Sequence, residues 1–140
     1  MCSSDLEPIR AASTADTFKA ALYLTTGSID ASTTAYTATG EVTGTNYSAG
    51  GVTVTNATVP ASTNSSATAG VGYWTPSASI TYTNVTLSTA FNAMLLYNST
   101  QSNKAVGVYT FGSQTITAGT FALTMPSNTT TTALLRISTT

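Results

Sequence analysis

Apolar and polar residues alternate with period two over much of this chain, the spacing that sends successive side chains to opposite faces of a strand. In Thr17–Thr25, Phe18, Ala20, Leu22 and Leu24 alternate with Lys19, Ala21 and Tyr23, which predicts a strand; a helix is the rival reading there, since Ala and Leu favour it. Val52 and Val54 alternate with Thr53 and Thr55, a half-buried strand. Ser77–Leu87 repeats the pattern, with Ile80, Tyr82, Val85 and Leu87 set among Thr and Asn. Phe91–Tyr97 departs from it. Met94, Leu95 and Leu96 are consecutive, so both faces are apolar and a central strand covered on both sides is expected. Ala105–Phe111 is a second apolar strand, and with the polar stretch Asn98–Lys104 between them the two form a hairpin. Gln114–Ile116 and Phe121–Met125, joined by a turn over Thr117–Thr120, predict another. Ala133–Ser138 reads as the closing strand.

Between these runs lie breakers. Thr26-Gly27-Ser28 ends the first strand. Asp30–Thr34 suits one short helical turn capped by Asp30 or Ser32. Asn46–Gly51 has turn chemistry. Pro60–Gly72 has no periodic apolar residues and is expected to be a surface loop, as is Pro126–Thr132. Some seven to nine short strands separated by turns predict an all-β fold, an antiparallel β-sandwich of immunoglobulin-like or jelly-roll-like type. The expected organisation is one domain over residues 14–140, preceded by a disordered or artefactual segment, 1–13. Residues Cys2-Ser-Ser-Asp-Leu6 match a sequencing-library adapter translated in one frame, so Met1–Leu6 are expected to be an artefact of sequence assembly.

Composition sharpens this picture. Charged residues make up 6% of the chain, against about 25% in typical soluble domains. Thr supplies roughly one residue in four, and its branched Cβ favours extended backbone while its hydroxyl faces water without charge. The net charge is −1, and Arg10, Lys19, Lys104 and Arg136 are scattered. Phosphate binding needs clustered cations, so a nucleic-acid partner is not expected. Little charge also means little repulsion between copies, which suits a subunit of an assembly, a homo-oligomer. The single cysteine, Cys2, excludes an internal disulfide. No apolar run reaches a membrane span, and residues 1–25 show no basic start followed by an apolar stretch. No membrane partner is expected.

The chain has no histidine, which removes Ser–His and Cys–His nucleophilic mechanisms and most zinc sites. Its five acids, Asp5, Glu7, Asp16, Asp30 and Glu41, all fall in the first 41 residues. Asp30 and Glu41 are the one candidate pair for carboxylate catalysis, but capping and solvation account for them more simply. No catalytic residue, metal ligand or cofactor is expected. The aromatic residues remain. Tyr73 and Trp74 adjoin the Pro60–Gly72 stretch, where exposed rings would stack on sugars; the plainer reading makes Trp74 a core or interface anchor. Tyr47 and Tyr82 are further candidates for interface or ligand contact, as Tyr suits half-wet sites. Six Asn-X-Ser/Thr sequons, at Asn46, Asn56, Asn64, Asn84, Asn98 and Asn128, follow from the abundance of Ser and Thr.

Several phrases together resemble small structural proteins of tailed bacteriophages. They are Phe18-Lys-Ala-Ala-Leu-Tyr23, Asp30-Ala-Ser-Thr-Thr-Ala-Tyr36, Glu41-Val42, Gly44-Thr-Asn-Tyr-Ser-Ala-Gly-Gly51, Phe91–Tyr97 with Asn98-Ser-Thr, Asn103-Lys-Ala-Val106, Thr117-Ala-Gly-Thr-Phe121 and Ala133-Leu-Leu-Arg-Ile137. The likeness spans residues 16–138, and its order is more specific than any one phrase. It implies a virion component assembled in the bacterial host cytoplasm, a capsid decoration or a head–tail or tail-associated subunit whose partners are other virion subunits. It brings no catalytic residue with it. The rival function is a secreted or surface β-sandwich module for adhesion or carbohydrate binding, using Tyr73 and Trp74.

Overall fold

The first strand forms where the alternation is cleanest. In the computed structural model, which describes residues 16–55, 58–65, 68–76 and 79–138, β1 is Phe18–Leu24 and β2 is Val52–Val54. β3 (Ala61–Ser65) and β4 (Thr68–Trp74) follow, then β5 (Ser79–Asn98), β6 (Lys104–Thr124) and β7 (Leu135–Ser138). The expected artefact at the start, with all of segment 1–13, lies outside the described residues. Among those described there is no helix, and all pairings are antiparallel. One sheet has the order β2-β1-β5-β6 and the other β3-β4-β7. The chain is therefore all-β and sandwich-like.

Three expectations are corrected. The second predicted hairpin does not form. Gln114–Ile116 and Phe121–Thr124 both belong to the 21-residue β6, and both pair with the 20-residue β5. The turn chemistry between them is absorbed by register shifts between Tyr82 and Ala93, where extra residues on one strand face fewer on the other. Asn84 and Ala118 take positive φ there, at 52° and 46°. Second, Pro60–Gly72 is not a loop. It contains β3 and most of β4, and β4 is held on its other side by β7 through Val71↔Ser138 to Trp74↔Leu135. Third, Asp30 caps a turn and not a helix: its Oδ1 accepts from Ser32 N–H at 2.8 Å and Ser32 Oγ at 2.6 Å.

The central-strand expectation holds. β5 lies between β1 and β6, and Met94, Leu95, Leu96 and Tyr97 are all buried. Met94 and Leu96 join Phe18, Ala20, Leu22, Phe91 and Trp74 in the main core. Leu95 and Tyr97 face the other way, with Ala21, Tyr23 and Ala93, under Ile29 and Tyr36 of the Gly27–Gly51 excursion. The predicted hairpin of Phe91–Tyr97 with Ala105–Phe111 is the tip half of β5–β6. Its turn is built by Asn98, whose Oδ1 accepts from Thr100 N–H and Gln101 N–H and whose Nδ2 donates to Asp16 Oδ2 at 2.9 Å. These bonds tie the turn to the residues that lead into β1.

The excursion closes against β1 at a double glycine. Gly50 and Gly51 have φ of 85° and 72°, which L side chains adopt rarely. A Cβ on Gly51 would stand 1.6 Å from the Ala20 carbonyl oxygen. Only glycine lets the chain touch β1 there and turn into β2.

Candidate functional site

The least expected polar feature is Glu41. It lies in a short segment beside β1, where Val42 N–H donates to Leu22 O and Leu24 N–H to Gly40 O. Its side chain is 7% exposed. The carboxylate accepts Tyr36 Oη at 2.7 Å on Oε2, and Tyr47 Oη and Gly50 N–H, each at 2.8 Å, on Oε1. Burying a carboxylate is costly unless its lone pairs are met, and here three donors meet them.

The tyrosines extend the network into the backbone of β1. Tyr47 Oη accepts Leu22 N–H at 2.9 Å while donating to Glu41, so a phenol stands where the next strand would supply a carbonyl. Tyr82 Oη donates to Ala20 O and Tyr97 Oη to Gly50 O, both at 2.8 Å. Tyr23 Oη donates to Thr37 O. The rings stack in two pairs, Tyr36 on Tyr97 at 4.9 Å and Tyr47 on Tyr82 at 6.0 Å between centroids. Burial is the main cause that raises the phenol pKa values: Tyr23 is pushed up to about 12, and Tyr36, Tyr47 and Tyr82 are pushed up as well, with the Glu41 charge adding to the effect. All four remain hydrogen-bond donors at neutral pH.

Above Tyr47 and Tyr82 opens a groove of about 320 Å³, lined otherwise by Asn46, Ser48, Gly51, Val52, Thr53, Thr81 and Thr83. Its walls carry no charge and mix hydroxyl and amide groups with apolar surface, Val52 included. The two tyrosines of the candidate set that sequence reasoning named separately, Tyr47 and Tyr82, thus meet here. Tyr82 is 1% exposed and forms the floor, so only the half-buried Tyr47 offers ring surface.

Tyr73 and Trp74 are elsewhere, on β4. Trp74 is 1% exposed. Its ring lies 5.1 Å from that of Phe18 on β1, and its Nε1 donates to Thr58 O at 3.1 Å. The indole spans the gap between the two sheets and has no free face for a sugar, in keeping with the plainer reading of an anchor. Tyr73 is half-buried and lines a small apolar cleft with Pro60, Leu135 and Ile137. Ile137 itself is 65% exposed.

Asp30 sits at a solvent-facing turn and Glu41 within the tyrosine network, each with its own partners. Among the described residues no group of three His, Cys, Asp or Glu side chains is placed to hold a metal. The Glu41 cluster was not foreseen from sequence. Its one signal was a lone acid amid uncharged residues, with Tyr36 five positions before it and Tyr47 six after.

One surface was also not foreseen. β6 forms the edge of its sheet, and none of its 21 residues is buried. Tyr109, Phe111, Ile116, Phe121 and Leu123 pack on the main core yet remain half-exposed. Phe111 and Phe121 meet the buried Phe91 edge-on at 6.0 and 5.1 Å. Tyr109 Oη is buried without a hydrogen-bond partner, and burial pushes its pKa up to about 12.

No family model, no curated protein and no solved structure matches this chain.

Proposed function

We propose that the chain is a non-enzymatic structural component of a tailed-phage virion, a capsid decoration or a head–tail or tail-associated subunit, which acts by packing against other subunits. The observation that carries the reading is the state of β6. A long sheet edge with half-exposed rings, one charge and no proline is a surface for protein contact. The sequence resemblance supplies the virion context. The hydrogen bonds of Glu41 and Asp16 support a structural use of these acids, since each ties together separate segments of the chain.

Mass spectrometry of purified particles tests the proposal. The chain is expected at a fixed stoichiometry to the major capsid or tail protein and is retained through a density gradient. Absence from washed particles would overturn it. Inspection of the neighbouring genes offers a second check, with portal, terminase or major-capsid genes expected beside it.

The groove over Tyr47 favours a second reading, a surface module that binds carbohydrate through uncharged hydroxyl and amide groups around one ring. A glycan array is the discriminating measurement. Binding that disappears in Tyr47→Ala supports this reading, and an array with no bound glycan removes it.

A further inference from the structure

We propose that β6 pairs edge to edge and antiparallel with β6 of a second copy of this chain, about a two-fold axis at Thr115; this deepens the packing role above and rests on it.

The other sheet edges are short: β2 has three residues, β3 five and β7 four. Shortness is one way that proteins blunt an edge. The start of β6 is also covered, since Ala105 N–H donates to Thr34 O and Tyr36 N–H to Asn103 O, both at 2.9 Å. From Val106 to Thr124 no described strand pairs with the outer side of β6. This stretch contains no Lys, Arg, Asp, Glu or Pro, the residues with which natural edges are guarded.

The bulges of β6 decide the register. They leave two straight runs against β5, Gly107–Thr110 and Phe121–Thr124. A two-fold axis at Thr115 lays one run against the other. Gly107 then faces Leu123 of the second copy, Val108 faces Ala122, Tyr109 faces Phe121 and Thr110 faces Thr120. The side-chain faces agree. Tyr109, Phe121 and Leu123 pack toward the main core, whereas Val108 packs toward the opposite face. A slip of one residue would set Tyr109 against Ala122 or Thr120, both exposed, and turn apolar side chains toward water.

A second copy fits this edge better than a charged partner would. The one charge of β6, Lys104, lies at its end. In this register the two lysines stand on the order of 60–70 Å apart along the seam, several screening lengths. Two four-residue overlaps supply roughly eight ladder bonds, close to the about ten direct hydrogen bonds of an ordinary interface. The half-exposed Tyr109, Phe111, Phe121 and Leu123 of each copy cover one another in the same step.

Sedimentation velocity over rising protein concentration is the test. The wild-type chain is expected to reach twice its 14.2 kDa mass. Thr110→Lys/Thr120→Lys places like charges opposite one another in both halves of the seam, and it is expected to weaken self-association at least about 100-fold. Thr110→Glu/Thr120→Lys is expected to dimerise, because this register sets each introduced acid opposite an introduced amine. Far-UV circular dichroism checks that both variants fold. Hydrogen exchange on the wild-type chain gives a reading that needs no variant: amides within Val106–Thr124 gain protection as concentration rises, and those of β2 and β7 do not. A wild-type chain that stays monomeric, a lysine variant that still dimerises, or protection of β6 that does not change with concentration would each overturn the proposal. Dimers in solution with the chain absent from particles would leave this pairing standing and remove the virion role. Monomers found in particles would do the reverse.

Discussion

Glu41 is held by three donors, and this makes its removal asymmetric. Glu41→Ala strands two phenols and the Gly50 N–H in a buried site. An unsatisfied buried group costs about 1–3 kcal/mol, so the variant is expected to lose at least ~3 kcal/mol of unfolding free energy in urea. Tyr47→Phe leaves Leu22 N–H and one Glu41 lone pair unmet, and a loss of about 1–3 kcal/mol is expected on the same principle. The tyrosines also set an alkaline limit. A phenol whose pKa is higher in the folded than in the unfolded chain stabilises fully below the unfolded value, near 10. That contribution is lost as pH rises through the folded value, which for Tyr23 is about 12. Chemical denaturation from pH 8 to 12 is therefore expected to show a plateau up to about pH 10 and a steady decline above it. A stability that rises across that window would contradict the burial of these rings.

At the scale of elements, the double glycine and the long hairpin behave differently. Gly51→Ala drives a Cβ into the Ala20 carbonyl and strains φ as well, so β2 has to leave β1. The expected result is a large loss of stability together with fast exchange of the amides of Phe18 and Ala20, which point toward β2, while that of Lys19 points toward β5. Phe91→Ala opens a cavity between β5 and the half-exposed Phe111 and Phe121. A cost of about 3–5 kcal/mol is expected for a buried Phe. The hairpin of which these residues are part was legible only in its tip half. Phe91–Tyr97 and Ala105–Phe111 announce themselves as apolar runs. Gly112-Ser113 and Thr117-Ala-Gly-Thr120 carry the chemistry of turns, yet they serve as bulges: the register against β5 shifts at both places and the strand runs on, still paired with β5 on either side. Local sequence cannot separate a turn from a bulge when the deciding partner lies some 30 residues away.

At the scale of the whole molecule, Trp74 joins the sheets. It is the only tryptophan, and it packs on Phe18 across the gap. Its fluorescence is therefore a probe of sheet separation, while far-UV circular dichroism reports the strands. If the two sheets are one cooperative unit, the two signals follow one denaturation curve. Two separated midpoints would mean that β3-β4-β7 detaches first. Trp74→Ala is expected to cost about 3–5 kcal/mol, the range for a large buried aromatic.

Sequence by itself determined that the chain is all-β, that β5 is central near Met94–Leu96, and that Asn46–Gly51 turns. Those are local properties: branched side chains, two-residue alternation and glycine are read by the nearest neighbours. Tertiary structure alone decided that Ala61–Ser65 and Thr68–Gly72 become strand, since these stretches gain order from pairing β3 with β4 and β4 with β7. It alone decided that Tyr82 goes inside, and that Glu41 serves as a hub for Tyr36 and Tyr47. A tyrosine or a lone acid carries no periodic signal of its own, and its place is set by which distant backbone groups need a partner.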